Sequence, residues 1–227
     1  MEPLQVIFND GRIEIQGFPS TRAITLSPIE GKWLADLALH QDDLRFAIQC
    51  LDGINQHSTD QFIQQALWRC AVVHFVKCFG DGARRFLQPA QVLKGQPSMA
   101  TWAFDYMKAL RHKHIVHDDN ALSQSIPGAL INPPPSPQKV AKVFTMPIHT
   151  DTLINENYGN LKLLCEVTLA WVDAEFDREA DRIAAMLETL PHEDLMARAE
   201  PTWRASQIDE ISVSRKQPKA SSTGGTP

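Results

Sequence analysis

Short apolar runs without a helical period set the first 26 residues apart from the rest of the chain. Two such runs, Gln5–Phe8 and Arg12–Gln16, are rich in Val, Ile and Phe, and this composition is typical of strands. Asn9-Asp10-Gly11 lies between them, and Asp-Gly favours a tight hairpin turn because both residues tolerate positive φ. The pattern predicts an N-terminal β-hairpin over 1–26, which should pack on a larger body because a lone two-stranded ribbon is marginally stable.

From Ser27 the apolar positions change to the three- and four-residue spacing of amphipathic helices. Ser27-Pro28 with Glu30 has the form of a capped helix start, and this helix is predicted to end at about Leu51. A second helix is predicted to begin after a cap at Ser58 or Thr59. The change of period indicates that helices form the main body of the protein.

Two further helices follow the same logic. The third begins at Pro97-Ser98 and continues to about Leu110, and a long one spans about Asn157 to Leu190, roughly eight turns. A helix of that length is typical of the spine of a bundle or of a dimer interface. The predicted fold class is therefore mainly α, a helical bundle with a small N-terminal β-hairpin.

The segment 121–138 interrupts the helices, and its run Pro133–Pro137 is incompatible with a core helix. We expect a loop there, followed by a weak strand over 139–146 that is a possible third strand of the N-terminal hairpin. The helical domain is predicted to cover 27–212. The remaining residues, 213–227, contain almost no apolar side chains and are predicted to be disordered.

Composition narrows the function classes. The chain has 227 residues and a formal charge of −5, which argues against a broad basic surface that coats nucleic acid. The four cysteines form no CxxC pair, as expected of reduced thiols in a cytoplasmic protein. The first residues lack a basic stretch before an apolar run, and no apolar run is long enough to span a membrane, so we expect neither a signal peptide nor a membrane partner.

Three of the eight histidines fall within six residues, after the predicted third helix has run most of its length. On an α-helix, Arg111, His114 and His117 share an arc of about 120° that continues the apolar stripe. His112 and Lys113 point elsewhere. We therefore expect Arg111, His114 and His117 to converge on one small pocket at the C-terminal end of this helix.

These residue types suit RNA cleavage without a metal ion. Such cleavage needs a group that takes the proton of the 2′-hydroxyl, and histidine fits because its ordinary pKa lies near 6.5. It also needs a cation for the charge that develops on the phosphate, and arginine offers a permanently charged planar fork. A dimer that brings two such helices together would double both groups around one phosphate.

At these residues the chain resembles a known family. Arg111-His112, four residues and then His117 match the Arg-polar-x4-His pattern of HEPN domains, and the run 110–117 resembles that of abortive-infection and toxin-type members. The resemblance covers about 28–190. It implies a homodimeric, metal-independent endoribonuclease of toxin or phage-defence type, with RNA as substrate, no cofactor, and an antitoxin or other regulatory protein as a further partner. Arg111 and His117 would be catalytic, with His112 at the polar second position and His114 in a supporting role.

Other interpretations stay open for the same residues. Arg111 would have a structural role if it capped the helix or paired with Asp118 or Asp119, since histidines in a last turn also complement the helix dipole. His114, His117 and Asp118 are spaced to share a metal ion, although no HExxH or CxxC frame surrounds them. A non-catalytic HEPN-like module that binds RNA, a nucleotide or a protein is the main alternative to an enzyme.

Overall fold

Helices dominate the computed structural model of the chain, which describes residues 6–9, 12–17, 22–57, 59–80, 82–117, 119–202 and 207–212. This confirms the predicted mainly α class, whereas the predicted disordered tail, 213–227, lies outside the described residues. No helix in the described part of the chain is long and apolar enough to cross a membrane. The α-helices are α1 (Pro28–Gln56), α2 (Gln61–Lys77), α3 (Pro89–Val92), α4 (Ser98–Ala109), α5 (Asn155–Glu188) and α6 (His192–Met196). A π-helix, Leu110–Val116, continues α4 directly, and a 3₁₀ helix spans Ile208–Ser212.

The N-terminal hairpin is confirmed. Strand β1 (Val6–Asn9) pairs antiparallel with β2 (Arg12–Ile15), although Asp10 and Gly11 of the predicted turn lie outside the described residues. The weak strand expected over 139–146 also exists, as β4 (Val140–His149). It does not join the N-terminal hairpin, because its partner in the described structure is another strand, β3 (Ser123–Ile131), with which it forms a separate two-stranded sheet.

The prediction of a loop over 121–138 is therefore wrong for 123–131 and right only for the proline-rich turn between β3 and β4. Strand β3 tolerates Pro127 because this residue lies at a position whose N–H is not used in pairing with β4. The N–H of Thr150 donates to the carbonyl of Leu122 at 2.8 Å, and hydrogen-bonded pairs alternate with non-bonded ones from there. Pro127 opposite Thr145 falls in a non-bonded pair, where the missing N–H would point away from the partner strand.

The chain divides into two compact units. The first comprises 1–39, 81–85 and 173–227. Within it, the predicted cap of α1 is confirmed, because Ser27 N–H donates to Glu30 Oε2 at 2.8 Å and Glu30 N–H donates to Ser27 Oγ at 3.3 Å. Arg198 then binds both carboxylate oxygens of Glu30 at 2.9 and 3.0 Å. These contacts hold the start of α1 to the segment after α6.

The second unit comprises 40–80 and 86–172 and carries the candidate site. Its α2 begins one residue after Asp60, whose carboxylate accepts from Ile63 N–H at 3.0 Å, so the cap is not Thr59, and Ser58 lies outside the described residues. The core of this unit includes Phe75, Phe79 and Phe104, whose ring centroids lie 4.8 to 6.2 Å apart. These ring contacts join α4 to the C-terminal end of α2.

Candidate active site

The candidate site lies on the π-helix, Leu110–Val116, where an ordinary α-helix was predicted. A π-helix closes its hydrogen bonds between residues five apart, so it is wider than an α-helix and has different side-chain neighbours. Leu110 is buried, and the segment packs against both α2 and the end of α4. The predicted α-helical arc of Arg111, His114 and His117 is therefore wrong in its geometry, and the actual neighbours have to be taken from the contacts.

Arg111 meets His112. Its Nη1 lies 3.0 Å from His112 Nδ1, and both side chains are half-buried. A guanidinium group can only donate hydrogen bonds, so His112 Nδ1 accepts, and the imidazole proton must lie on Nε2. The α-helical arc pointed His112 away from Arg111, whereas the resemblance put His112 at the polar second position; in the structure it is the direct partner of Arg111.

The surroundings keep His112 uncharged. Burial lowers the pKa of His112, and the positive charges of Arg111, Lys108 and His117 lower it further, in that order. The residue is therefore a neutral imidazole at neutral pH, with its Nε2–H free to act as a donor. Lys108 was missed in the sequence analysis, although its spacing of four residues before His112 on the same helix was a usable signal.

His117 follows the last turn of the π-helix and is exposed. It is close enough for its charge to affect the pKa of both His112 and Asp119. Of the predicted catalytic pair, Arg111 is thus hydrogen-bonded to His112, while the His117 side chain is exposed to solvent. The described contacts contain no direct bond between them.

His114 occupies a different environment. Its Nδ1 is buried and has no hydrogen-bond partner among the described residues. None of the described hydrogen bonds joins it to Arg111 or His117, so its predicted place in a shared pocket is not supported by a contact. A buried unpaired imidazole nitrogen is costly, and such a group usually has a partner that a single chain does not contain, such as a water molecule or a ligand.

A purely structural role for Arg111 would need a carboxylate partner. Asp119 bonds Lys113, and this bond and the charge of Lys113 lower the pKa of Asp119. No described carboxylate lies within ion-pair distance of Arg111, while Asp118 lies outside the described residues. The part of the chain that the structure describes also holds no group of three His, Cys, Asp or Glu side chains arranged for a metal ion.

A separate polar cluster around His74 lies between α1 and α2. His74 Nδ1 is 2.8 Å from Asp43 Oδ1, and Lys77 Nζ is 3.0 Å from the same oxygen. The ring of Phe46 packs 4.5 Å from that of His74. His74 is therefore a partly exposed, paired side chain. Both of these contacts join α2 to Asp43 of α1, and we assign the cluster to the packing of α1 on α2.

These contacts define what the site can do. A permanent cation, a neutral imidazole donor and an exposed imidazole lie together on one short helical segment, with Lys108 and Lys113 nearby. This set can bind an anion such as a phosphate and can move a proton at its edge. Comparison of the chain with protein-family models, curated proteins and solved structures found no match.

Proposed function

We propose that this chain is a metal-independent endoribonuclease of toxin or phage-defence type, built on a HEPN-like helical bundle and active as a homodimer. The observation that carries the proposal is the Arg111–His112 contact beside the exposed His117. Acid–base catalysis on RNA needs a permanent cation, a hydrogen-bond donor and a titratable imidazole around one phosphate, and these three residues supply them.

The absence of a described carboxylate on Arg111 supports a phosphate ligand. A guanidinium already paired with an acid would have to lose that partner before it bound a phosphate oxygen. Arg111 instead contacts a neutral imidazole, and its remaining N–H groups keep their capacity to donate. The charge that Arg111 brings is therefore available to the charge that develops on a phosphate in the transition state.

The three residues divide the steps of the proposed reaction between them. His117 takes the proton of the 2′-hydroxyl, and the 2′-oxygen attacks the adjacent phosphorus. Arg111 stabilises the additional negative charge on the phosphate, and His112 Nε2–H donates to a non-bridging oxygen. The 5′-oxygen leaves with a proton from the protonated His117 of a two-fold mate, so the products are a 2′,3′-cyclic phosphate and a 5′-hydroxyl.

The test is cleavage of a mixed-sequence single-stranded RNA in the presence of EDTA. We expect His117→Ala to slow cleavage by roughly 10²–10⁴-fold because it removes the proton acceptor. Arg111→Ala should slow it by roughly 10²–10³-fold because it removes a preorganised charge. His192→Ala is the matched control, since His192 is exposed at the start of α6, away from the π-helix in sequence and in the other unit.

The outcomes separate clearly. Cleavage that survives EDTA, is lost with both variants and leaves 2′,3′-cyclic phosphate ends supports the proposal. Equal cleavage by wild type and both variants contradicts it, and so does cleavage of the matching DNA, which lacks the 2′-hydroxyl. Circular dichroism of each variant verifies that the helical fold is retained.

A non-catalytic binding module is the second candidate, and the net charge of −5 favours it. The basic residues around the π-helix would then hold RNA, a nucleotide or a protein without turnover. RNA retained in a binding assay that weakens with Arg111→Ala, together with no cleavage products, would identify this function instead.

A further inference from the structure

Helices α1 and α2 form an antiparallel pair that residues 57–60 connect, and two contacts fix how the helices are aligned. The Phe46 ring lies 4.5 Å from the His74 ring, and a Cβ added to Gly53 would lie 3.2 Å from Leu67 Cδ1. From the first contact to the second, α1 advances by seven residues and α2 goes back by seven. The residues between the two contacts therefore face each other in order.

Cys50 and Cys70 occupy facing positions within this interval. Cys50 lies four residues after Phe46 and three before Gly53, and Cys70 has the matching place on α2, four and three residues from the two contacts there. Residues three and four apart lie on the same face of a helix, so each cysteine lies on the face that makes the contacts. The register therefore sets the two thiols opposite each other, at the same height along the pair of helices.

A glycine brings the two helices close together at this level. Gly53 lies one turn from Cys50, and the Leu67 side chain packs into the space that a Cβ of Gly53 would fill. The axes of packed helices are ordinarily about 8–10 Å apart, and small residues at the contact favour the short end of that range. A disulfide needs Cβ atoms about 3.5–4.5 Å apart, so a bond between facing cysteines requires a close approach of this kind.

The two thiols differ in their access to solvent. Cys70 is exposed, whereas only 4% of the surface of Cys50 is exposed. The thiolate is the reactive form of a cysteine, and burial disfavours it. Burial raises the pKa of the Cys50 thiol, and the neighbouring Cys70 raises it further. A dissolved oxidant therefore meets Cys70 first, with Cys50 held behind it as a second thiol.

The other two cysteines lack this combination. Cys78 and Cys165 are fully buried, and burial raises the pKa of the Cys165 thiol, so a reactant from solvent reaches neither. Redox-sensitive cysteines are typically exposed and lie next to a second thiol that resolves the oxidised form. Of the four cysteines, all of which the structure describes, Cys70 alone has both properties.

We propose that Cys50 and Cys70 form a redox site, at which a hydroperoxide oxidises Cys70 and a disulfide then joins α1 to α2. The site shares no residue with the proposed ribonuclease site, so it does not depend on whether the chain cleaves RNA.

The steps balance with hydrogen peroxide as the oxidant. The Cys70 thiolate attacks one peroxide oxygen, the O–O bond breaks, and Cys70 becomes a sulfenic acid while the other oxygen leaves as water with the proton of the thiol. The Cys50 sulfur then attacks the Cys70 sulfur, the S–O bond breaks, and the hydroxide leaves as water with the Cys50 proton. Two thiols and one peroxide thus give one disulfide and two waters, and a dithiol reductant reverses the oxidation.

The test is peptide mapping of the full chain after treatment with a small excess of hydrogen peroxide at neutral pH, with the remaining thiols alkylated after unfolding. We expect a Cys50–Cys70 linked peptide, a loss of about 2 Da from the chain mass for the two hydrogens, and alkylation of Cys78 and Cys165 as in the untreated chain. The disulfide should also raise the urea midpoint of unfolding, because it restrains the unfolded chain, and dithiothreitol should reverse both effects.

Two variants separate the roles of the two thiols. Cys50→Ala should leave Cys70 as a sulfenic acid that dimedone traps, because the resolving thiol is missing. Cys70→Ser should give neither a sulfenic acid nor a disulfide, because the oxidant does not reach Cys50. The matched control is Cys165→Ala, which removes a buried thiol outside the pair and should still form the disulfide. Circular dichroism verifies the fold of each variant, and the mapping of wild type does not depend on any of them.

Three results would overturn the proposal. The first is a disulfide between the Cys70 residues of two chains, visible as a doubled mass on a non-reducing gel. The second is wild type with Cys70 oxidised to a sulfinic acid and Cys50 still alkylated, because Cys50 would then be out of reach. The third is Cys70 that stays reduced at peroxide concentrations that oxidise a cysteine-containing peptide.

Discussion

Trp68 and Thr152 form a buried hydrogen bond whose energetic contribution can be measured. Trp68 lies on α2 and Thr152 lies three residues after β4, so the bond attaches the end of the β3–β4 ribbon to the helical core. Trp68 Nε1 donates to Thr152 Oγ1 at 3.1 Å, and both residues are buried. Trp68→Phe would remove the bond and leave the threonine oxygen buried without that partner. We expect a loss of about 3 kcal/mol, from the unpaired hydroxyl together with the smaller ring.

A double-mutant cycle isolates the bond from the packing. Thr152→Val removes the acceptor at nearly constant shape and leaves the indole N–H unpaired. In the double variant both polar partners are absent, so its loss of stability should be smaller than the sum of the two single losses. We expect a coupling of about 1–2 kcal/mol.

The assay is urea unfolding followed by circular dichroism at neutral pH. As a control, Trp68→Phe combined with Ile183→Val, a buried residue of the other unit, should be additive within about 0.5 kcal/mol. A coupling between Trp68 and Thr152 no larger than this control would refute the reasoning, because it would mean that the hydrogen bond does not stabilise the attachment of the ribbon.

Two other predictions concern the start of α1 and the β3–β4 ribbon. The hydrogen bond from the Arg198 guanidinium, and after it the hydrogen bonds from Ser27, lower the pKa of Glu30 from 4.5 to about 2. The folding stability that the ionised Glu30 contributes is complete above pH 4.5 and is lost as the pH falls towards 2. Arg198→Gln should cost about 1–2 kcal/mol at pH 7 and flatten that acid dependence in unfolding curves, and an unchanged pH dependence would contradict it. Gly128→Ala would place a Cβ 2.6 Å from the Phe144 ring and displace that ring, so we expect it to lower the stability by about 1 kcal/mol in urea unfolding; an unchanged unfolding midpoint would contradict the close packing of Phe144 on Gly128.

The sequence predicted the helices well because a helix start depends on contacts between residues that are close together in the chain. The cap of α1 depends on two side chains three residues apart, and the contacts between Ser27 and Glu30 have the predicted form. The cap of α2 shows the limit of the same logic. Ser58, Thr59 and Asp60 are adjacent and all suit a cap, and only the contact of Asp60 with Ile63 N–H distinguishes them. The type of element was predictable, and its first residue was not.

The sequence indicated a candidate segment, but it did not predict the geometry of that segment. Arg111 and His117 lie on the segment that the motif indicated, whereas the contact of Arg111 with His112 depends on the π-helical winding. No period in the sequence distinguishes a single π-helical segment from the α-helix that it continues. The segment packs against α2 and α4, and contacts with α2 join residues distant in sequence, which no local period reveals.

The ribbon shows why a pattern can predict an element without its partner. In β4 the alternation of residues 140, 142 and 144 indicated a strand, and Val140–His149 is one. The alternation in β3 was obscured by Pro127, because a proline is harmless only if its missing N–H faces outward, and the register that decides this is not local. Even with both strands known, a period of two states only that one face should be covered. The period says nothing about which surface covers a face, so it could not reveal that Ile126 and Phe144 are exposed in the single chain.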